Sequence, residues 1–497
     1  MPAQQQNRKD ILQAYRLMQE RTALALMVGE PDSPNQPLRR RNTATATALI
    51  VGAIVAMLFA LLGLIGKGGS AEALTNANTL SLDTNTSTYY VSCTLSDKKT
   101  GLCPALNYAS ALLALDGQAN SNGAPPSPTK ISQSELSKYT IGPAIGISGL
   151  PDLPTSGNLE GYKYPWAVCT ENNQTTLVGG QPVTGSTAVS AKQDQGTLVT
   201  APGSDDTSNS QSTPDWLLYN GTRLNVYKYT LTSLLSQGVT PASVPATWLD
   251  ALPQGPDYKA PFIANLGQTS TAPPGTSGSA VTGQLYEISQ NGPYFVLDSS
   301  GKLDSINAVQ ESLISDETGK SAGQIQQASV NQDLGTTVQA PKGLPTTQVP
   351  RITSFSPNGS VPGSSGNPLC VTYGQGVTAQ FTIGGTVPQG SPTTGGGAVV
   401  NQVAIPSGYG ALVGVAPVAA STGQTKPAAT TWCLLVGATR YALPTENTET
   451  VLGYQPGNEI TLPASVADLV PAGPGLNPAQ VTRQVAGPNA SATQAAG

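Results

Sequence analysis

From Thr43 to Gly66 the chain reads TATATALIVGAIVAMLFALLGLIG, 24 residues without a charged side chain. A helix satisfies all of its own backbone hydrogen bonds, and at 1.5 Å per residue this run crosses a hydrocarbon core of about 30 Å. It is therefore read as a transmembrane helix. A signal peptide is the competing reading, but the run starts after 42 residues, exceeds the usual apolar length of such peptides, and follows a segment with helical character of its own. Residues 1–42 hold seven Lys or Arg, with Arg39, Arg40 and Arg41 at the boundary, against Asp10, Glu20, Glu30 and Asp32. The positive-inside rule puts this end in the cytoplasm. Beyond the helix remain 17 basic and 25 acidic residues. The expectation is a single-pass protein of the cytoplasmic membrane with the bulk of the chain on the periplasmic side.

The cytoplasmic piece carries a helix pattern. Asn7 is placed to cap it, Asp10 follows three residues later, and Ile11, Tyr15, Met18 and Ala25 fall on one face up to Gly29. Such a helix is marginal alone in water. Its face therefore either docks on a partner protein or lies on the inner leaflet, where Arg39, Arg40 and Arg41 hold anionic membrane lipid.

Composition limits the rest. Gly and Pro number 54 and 41, and charged residues are 11% against a usual value of about 25%, which rules out helical bundles and coiled coils for most of the chain. At 497 residues it holds several modules. Histidine is absent, removing the imidazole base, the His-ligated metal site and every Ser-His or Cys-His nucleophile. No cofactor or metal is predicted. A net charge of −5 leaves no footprint for nucleic acid as a partner.

Low-complexity stretches at 118–128, 179–214, 269–278, 326–350 and 384–397 read as loops or linkers. Between them one pattern recurs, strand, turn, strand, helical segment, starting at Tyr89, Trp216, Pro293 and Trp432. Asn220-Gly221 is the clearest of its hairpin turns. The second and fourth copies align closely: Leu217, Leu218, Thr222 and Arg223 meet Leu434, Leu435, Thr439 and Arg440, and Pro245, Asp250, Pro253 and Gly255 meet Pro463, Asp468, Pro471 and Gly473. Gly101, Leu106, Asn107 and Leu112 likewise face Gly301, Ile306, Asn307 and Leu313. This reads as a duplication of about 200 residues. The predicted fold is α+β and β-rich, with four small repeats around a central β-rich domain in pseudo-twofold arrangement. Its divisions are 1–42 cytoplasmic, 43–66 membrane helix, repeats at 67–117, 216–258, 280–324 and 429–476, central halves at 136–215 and 345–428, and a disordered tail at 477–497.

Five cysteines in an oxidising compartment leave one unpaired. Cys93 and Cys103 flank a polar loop and close a hairpin. Cys169 and Cys370 hold matching positions in the two halves, so pseudo-twofold symmetry brings them together. Cys433, between Trp432 and Leu434, reads as an inert strand thiol.

Gln13-Ala14-Tyr15-Arg16, Gly29-Glu30-Pro31-Asp32 and Pro37-Leu38-Arg39 before the membrane helix, then Ile145 to Pro151, Trp166 to Cys169, Leu369 to Val371, Tyr409 to Val413 and Tyr441 to Pro444, resemble in this order the EccB family of type VII (ESX) secretion systems. The resemblance covers residues 7 to about 478. It implies a structural scaffold subunit, not an enzyme, with an elongated external part of four repeats crossed by one disulfide, which maps onto Cys169 and Cys370. It also implies partners: the FtsK/SpoIIIE-like ATPase EccC, EccD, EccE, the mycosin protease, and further copies of itself.

Two enzymatic readings fail on spacing. Gly319-Lys320-Ser321 has Ile314 where a phosphate-binding loop needs its first glycine. Ser127-Pro128-Thr129-Lys130 lies in a proline-rich run unfit for the helix that aims a Ser-x-x-Lys nucleophile, and Lys99-Thr100-Gly101 precedes it instead of following. A cell-wall-binding or sensor protein with external repeats is the remaining alternative.

Overall fold

Short apolar runs separated by Gly, Asn and Asp favour short strands in hairpins over long elements, and that is what this chain builds. The computed structural model describes residues 3–29, 37–65, 74–76, 79–95, 97–115, 126–161, 163–188, 195–201, 215–352, 363–374, 379–395, 398–417, 429–455, 457 and 459–481. The tail expected to be disordered over 477–497 instead begins with a helix at Pro478–Val481, whose Val481 is buried against the first unit. Residues from 482 onward lie outside the described ones, as do the side chains of Arg39, Arg40 and Arg41. The chain divides into two parts, 1–71 and 72–497.

The first part holds α1 (Ala3–Val28) and α2 (Pro37–Ile65). Helix α1 starts four residues before Asn7, which therefore sits inside it and does not cap it. Gly29 ends it with φ 77°, its N–H donating to the Ala25 carbonyl. In α2 side chains are described only over 44–59, fewer than the roughly 20 residues a span takes. Among the described residues, accordingly, no helix is long and apolar enough to cross a membrane.

The second part opens with β1 (Leu80–Asp83), β2 (Thr88–Thr94), β3 (Thr100–Ala105), α3 (Tyr108–Ala114), β4 (Thr129–Ile131) and α4 (Gln133–Leu136). A central sheet then begins with β5 (Trp166–Glu171), β6 (Gln174–Val178) and β7 (Thr187–Ala188). A second unit has β8 (Gln195–Thr200), β9 (Asp215–Tyr219), β10 (Thr222–Asn225), α5 (Lys228–Leu235), β11 (Ala242–Ser243) and α6 (Ala246–Asp250). After the ribbon β12 (Thr269–Ser270) and β13 (Ala280–Val281), a third has β14 (Leu285–Glu287), β15 (Tyr294–Leu297), β16 (Leu303–Ile306), α7 (Ala308–Thr318), β17 (Gly323–Gln324), α8 (Gln327–Gln332) and β18 (Leu334–Thr337). Strand β19 (Arg351–Ile352) returns to β8. Strands β20 (Leu369–Tyr373), β21 (Ala379–Ile383), β22 (Ser391–Pro392) and β23 (Gln402–Ala404) complete the central sheet. The fourth unit has β24 (Gly410–Ala416), β25 (Thr431–Val436), β26 (Thr439–Leu443), α9 (Glu446–Val451), β27 (Ile460–Pro463) and α10 (Ala464–Ala467), followed by α11 (Pro478–Val481).

Four sheets share one order: β3-β2-β1-β4, β10-β9-β8-β11, β16-β15-β14-β17 and β26-β25-β24-β27. In each, three strands run antiparallel, one helix follows, a fourth strand pairs in parallel with the first, and a second helix follows that. The chain then runs along the free edge of the third strand. Leu102 N–H donates to Thr140 O and Gly142 N–H to Leu102 O; Arg223 and Gly255, and Arg440 and Gly473, repeat the pattern, and β18 holds this place in the third unit. The expected pattern of two strands and a helix is thus two strands and one helix short, lacking the first strand, the parallel fourth strand and the second helix. Strands β8 and β24, assigned from the sequence to the central domain, belong to the second and fourth units, because each supplies the neighbour its hairpin needs to pair its outer edge.

Several stretches expected to be loops also pair: 179–214 contains β7 and β8, 269–278 contains β12, 326–350 contains α8 and β18, and 384–397 contains β22. The polar composition of β7, β12, β18 and β22 suits edge strands, which need backbone partners more than apolar side chains, whereas β8 lies inside its sheet with Leu198 and Val199 buried. The cores cross unit boundaries. One joins the central sheet to units two and four through Trp166, Val371, Trp248, Leu252, Val466 and Leu469. Another joins units one and four, and a third joins units two and three, with α5 against α7.

Candidate functional site

Strands β5 and β20 are antiparallel neighbours in the central sheet, in the register Trp166↔Tyr373, Val168↔Val371 and Cys169↔Cys370. Cys169 and Cys370 are disulfide-bonded across 201 residues. The second unit is tied to this pair of strands, and the fourth unit to the second, by hydrogen bonds that the apolar pattern does not reveal. Trp248 Nε1 donates to Val168 O at 3.0 Å, Tyr373 Oη to Ala251 O at 2.7 Å, and Ser465 Oγ to the same Ala251 O at 2.8 Å. Burial drives the Tyr373 hydroxyl far above its ordinary value, so it acts only as this donor.

The aligned arginines prove to be clamps. Arg223 reaches Asp250 at 2.5 Å and lies over the Trp216 ring at 5.2 Å. Arg440 reaches Asp468 at 3.1 Å, and its Nε donates to Val470 O at 2.9 Å. Each fastens the third strand of its unit to the second helix. The near-constant spacing marks both the arginines and Asp250 and Asp468 in the sequence, but only the second helix brings each pair together. Cys433 is free, buried, and pushed up to about 12 by burial, with Arg440 and Asp468 opposing one another beside it. It is a packing thiol.

Cys93 and Cys103 are bonded across the first hairpin. Ile11, Tyr15 and Met18 of α1 are exposed at 61%, 64% and 72%, and so are Leu12 and Leu17, which lie off their stripe. The face is therefore broader than the sequence pattern indicated. Gly319 caps α7 with φ 66°, its N–H donating to Ser315 O, while Ile314 is buried within the helix. Lys320 thus follows a helix where a phosphate loop must precede one. Lys130 lies in β4, with Ser127 in the irregular chain before it. Among the described residues no group of three or more acids or cysteines is placed to hold a metal ion.

Comparison with known proteins agrees with this architecture. The family described as "Type VII secretion system ESX-1, transport TM domain B" matches residues 4–487. Relatives include the ESX-3 secretion system ATPase EccB3 of Mycolicibacterium smegmatis, 25% identical over 60% of this chain and 55% of its own. The ESX-5 secretion system ATPase EccB5 of Mycobacterium tuberculosis is 28% identical over 54% of this chain and 51% of its own. The chain thus spans about half the length of the curated relatives it matches. In fold, it is similar to a chain of an intact ESX-5 inner membrane complex, with TM-score 0.52 at 19% identity, covering 100% of this chain and 98% of that one. The EccB3 dimer of the ESX-3 core complex gives TM-score 0.52 at 20% identity, over 82% of this chain and 100% of that one. With the family match running from residue 4 to residue 487, the chain belongs to the EccB family of type VII secretion systems.

Proposed function

We propose that the chain is a non-enzymatic, membrane-anchored scaffold subunit of a type VII secretion complex, with α2 crossing the cytoplasmic membrane, α1 inside and residues from 74 onward outside. The observation that carries it is α2: every described side chain from 44 to 59 is exposed, and Leu49, Ile50, Val51, Ile54, Met57 and Phe59 cover all sides of the helix. A helix apolar all round is stable in a large core or a bilayer. The basic segment before it supports the inside assignment.

The external part is read as a duplication with pseudo-twofold symmetry about the Cys169–Cys370 pair. The matched strand orders, the paired Arg–Asp clamps and the caps Asn107 and Asn307 support this. The divisions proposed are 74–147, 195–258, 280–338 and 410–476 for the repeats, with the central sheet drawn from 166–188 and 369–404. Shared cores make these units a continuous framework offering docking faces to EccC, EccD, EccE, the mycosin and further copies of the chain.

Two measurements test this reading. Purification from native membrane should bring the ATPase and multi-spanning subunits along; recovery of the chain alone under mild detergent refutes it. The relatives' names carry an ATPase activity, so the purified chain is also assayed with ATP. No turnover is expected, and Lys320→Ala should change neither this result nor secretion; turnover by the isolated chain that Lys320→Ala abolishes at intact fold would establish an enzyme.

A further inference from the structure

The hairpin tips of the four units are equivalent positions, so their differences show what each tip does beyond turning the chain. Three tips place glycine in the left-handed region: Gly221 at φ 74°, Gly301 at 84° and Gly437 at 58°. The first places Lys98 there, at φ 63°, with its N–H donating to Leu95 O at 2.9 Å. A side chain resists this conformation and glycine does not. Lys99 follows, both lysines are exposed, and Lys99 keeps 80% of its side chain in solvent while reaching Asp97 at 3.2 Å. No other described tip has two adjacent lysines. This hairpin is also braced by the Cys93–Cys103 bond. A Cβ on Gly142 would stand 2.7 Å and 3.3 Å from the two sulfurs, so the edge segment closes directly over that bond.

The path of the chain supplies a second observation. Ser92 Oγ donates to Thr75 O at 2.8 Å, and Leu74 packs with Leu102, which pairs with Ser92. The chain therefore comes into the first sheet at the end from which the Lys98-Lys99 tip projects. Nine peptide steps separate Ile65, where α2 ends, from Leu74, at most about 30 Å of extended chain.

Resting on the reading of α2 as membrane-spanning, we propose that the β2–β3 tip is a lipid contact: Lys98 and Lys99 bind anionic phospholipid headgroups at the external membrane surface. A chain of at most about 30 Å permits the tip to reach that surface, and the disulfide holds the tip in shape. With Lys99 paired to Asp97 the tip carries about one net positive charge, worth about fivefold in binding to an anionic over a neutral surface. Removing both ammonium groups reverses that charge and accounts for about thirtyfold; salt screens both.

The test uses the full chain in lipid nanodiscs with a photoreactive residue beside the tip, Thr100→p-benzoylphenylalanine. Discs containing phosphatidylglycerol should give lipid adducts whose yield falls about fivefold in phosphatidylcholine discs or in half-molar salt and at least tenfold in the Lys98→Gln/Lys99→Gln variant. Mass spectrometry of the Cys93–Cys103 peptide checks that this variant keeps its tip. Equal yields in both lipids and in the variant, no lipid adduct, or adducts to protein instead, overturn the proposal. A chain that alkaline carbonate strips from the bilayer fails the α2 reading and the proposal together; a chain that stays embedded without a lipid adduct at position 100 fails the proposal alone.

Discussion

Gly179 lies against the face of Trp166, and a Cβ there would stand 2.4 to 2.7 Å from three carbons of that fully buried ring. The ring is fixed in the core between the central sheet and its flanking helices, so it has nowhere to move. Gly179→Ala should therefore cost about 1–3 kcal/mol, as overpacked cores do, seen as a lower urea midpoint with unchanged slope. Cys433 gives a second residue-scale prediction. Its folded pKa of about 12 against an ordinary 9.0 means that the unfolded chain ionises first as pH rises. The thiol then leaves stability untouched below pH 9 and lowers it progressively between 9 and about 12. A thiol reagent at pH 8 should label nothing in the folded protein and one site per chain once the protein is unfolded without reduction. Full labelling of the native protein would show an open site.

Among elements, the edge segments explain residues that spacing alone marked. Gly255 and Gly473 pack where a Cβ would meet Leu224 at 2.4 Å and Tyr441 at 2.6 Å, and Pro256 and Pro474 follow them. Glycine allows the close approach and proline removes a donor, which leaves the sheet edge unfit for further pairing. Gly142-Pro143 does the same in the first unit and is missed in a comparison limited to the hairpins. The β5–β20 pair yields the element-scale prediction. Cross-linking residues 201 apart contributes up to about 5 kcal/mol in the chain-entropy model. The Cys169→Ala/Cys370→Ala variant should lose up to that amount yet keep its fold, because five paired positions and the Trp166–Tyr373 core still set the register. Chemical denaturation beside circular dichroism measures both; loss of the native spectrum without denaturant would mean that the bond specifies the sheet.

For the whole molecule, the units are joined by cores and not by linkers, so an external partner meets a framework instead of loose beads. On the proposed topology, disruption at the α1 end should then leave the part from residue 74 onward folded. Ile11→Asp/Tyr15→Asp puts two carboxylates on the exposed face of α1, each costing on the order of a few kcal/mol if that face is desolvated by a partner. The ATPase subunit should no longer co-purify, while the disulfides and thermal transition of the external part stay unchanged. Undiminished co-purification would place α1 on the lipid surface and move assembly to the other regions.

Helix α2, the unpaired thiol and the hairpins at Tyr89, Trp216, Pro293 and Trp432 were legible in the sequence. Each depends on local chemistry: an uncharged run, an odd cysteine count, apolar alternation. The partners of those segments were not legible. Strands β8 and β24 look like linker or central sequence until β9 and β25 supply their hydrogen bonds, and Arg223 looks like any surface arginine until α6 brings Asp250 beside it. Strand pairing and buried ion pairs join residues far apart in the chain, so only the tertiary structure decides them. The same reason hides the lysine tip: Lys98 and Lys99 are an ordinary polar loop until the sheet shows that the chain leaving α2 comes in at that end.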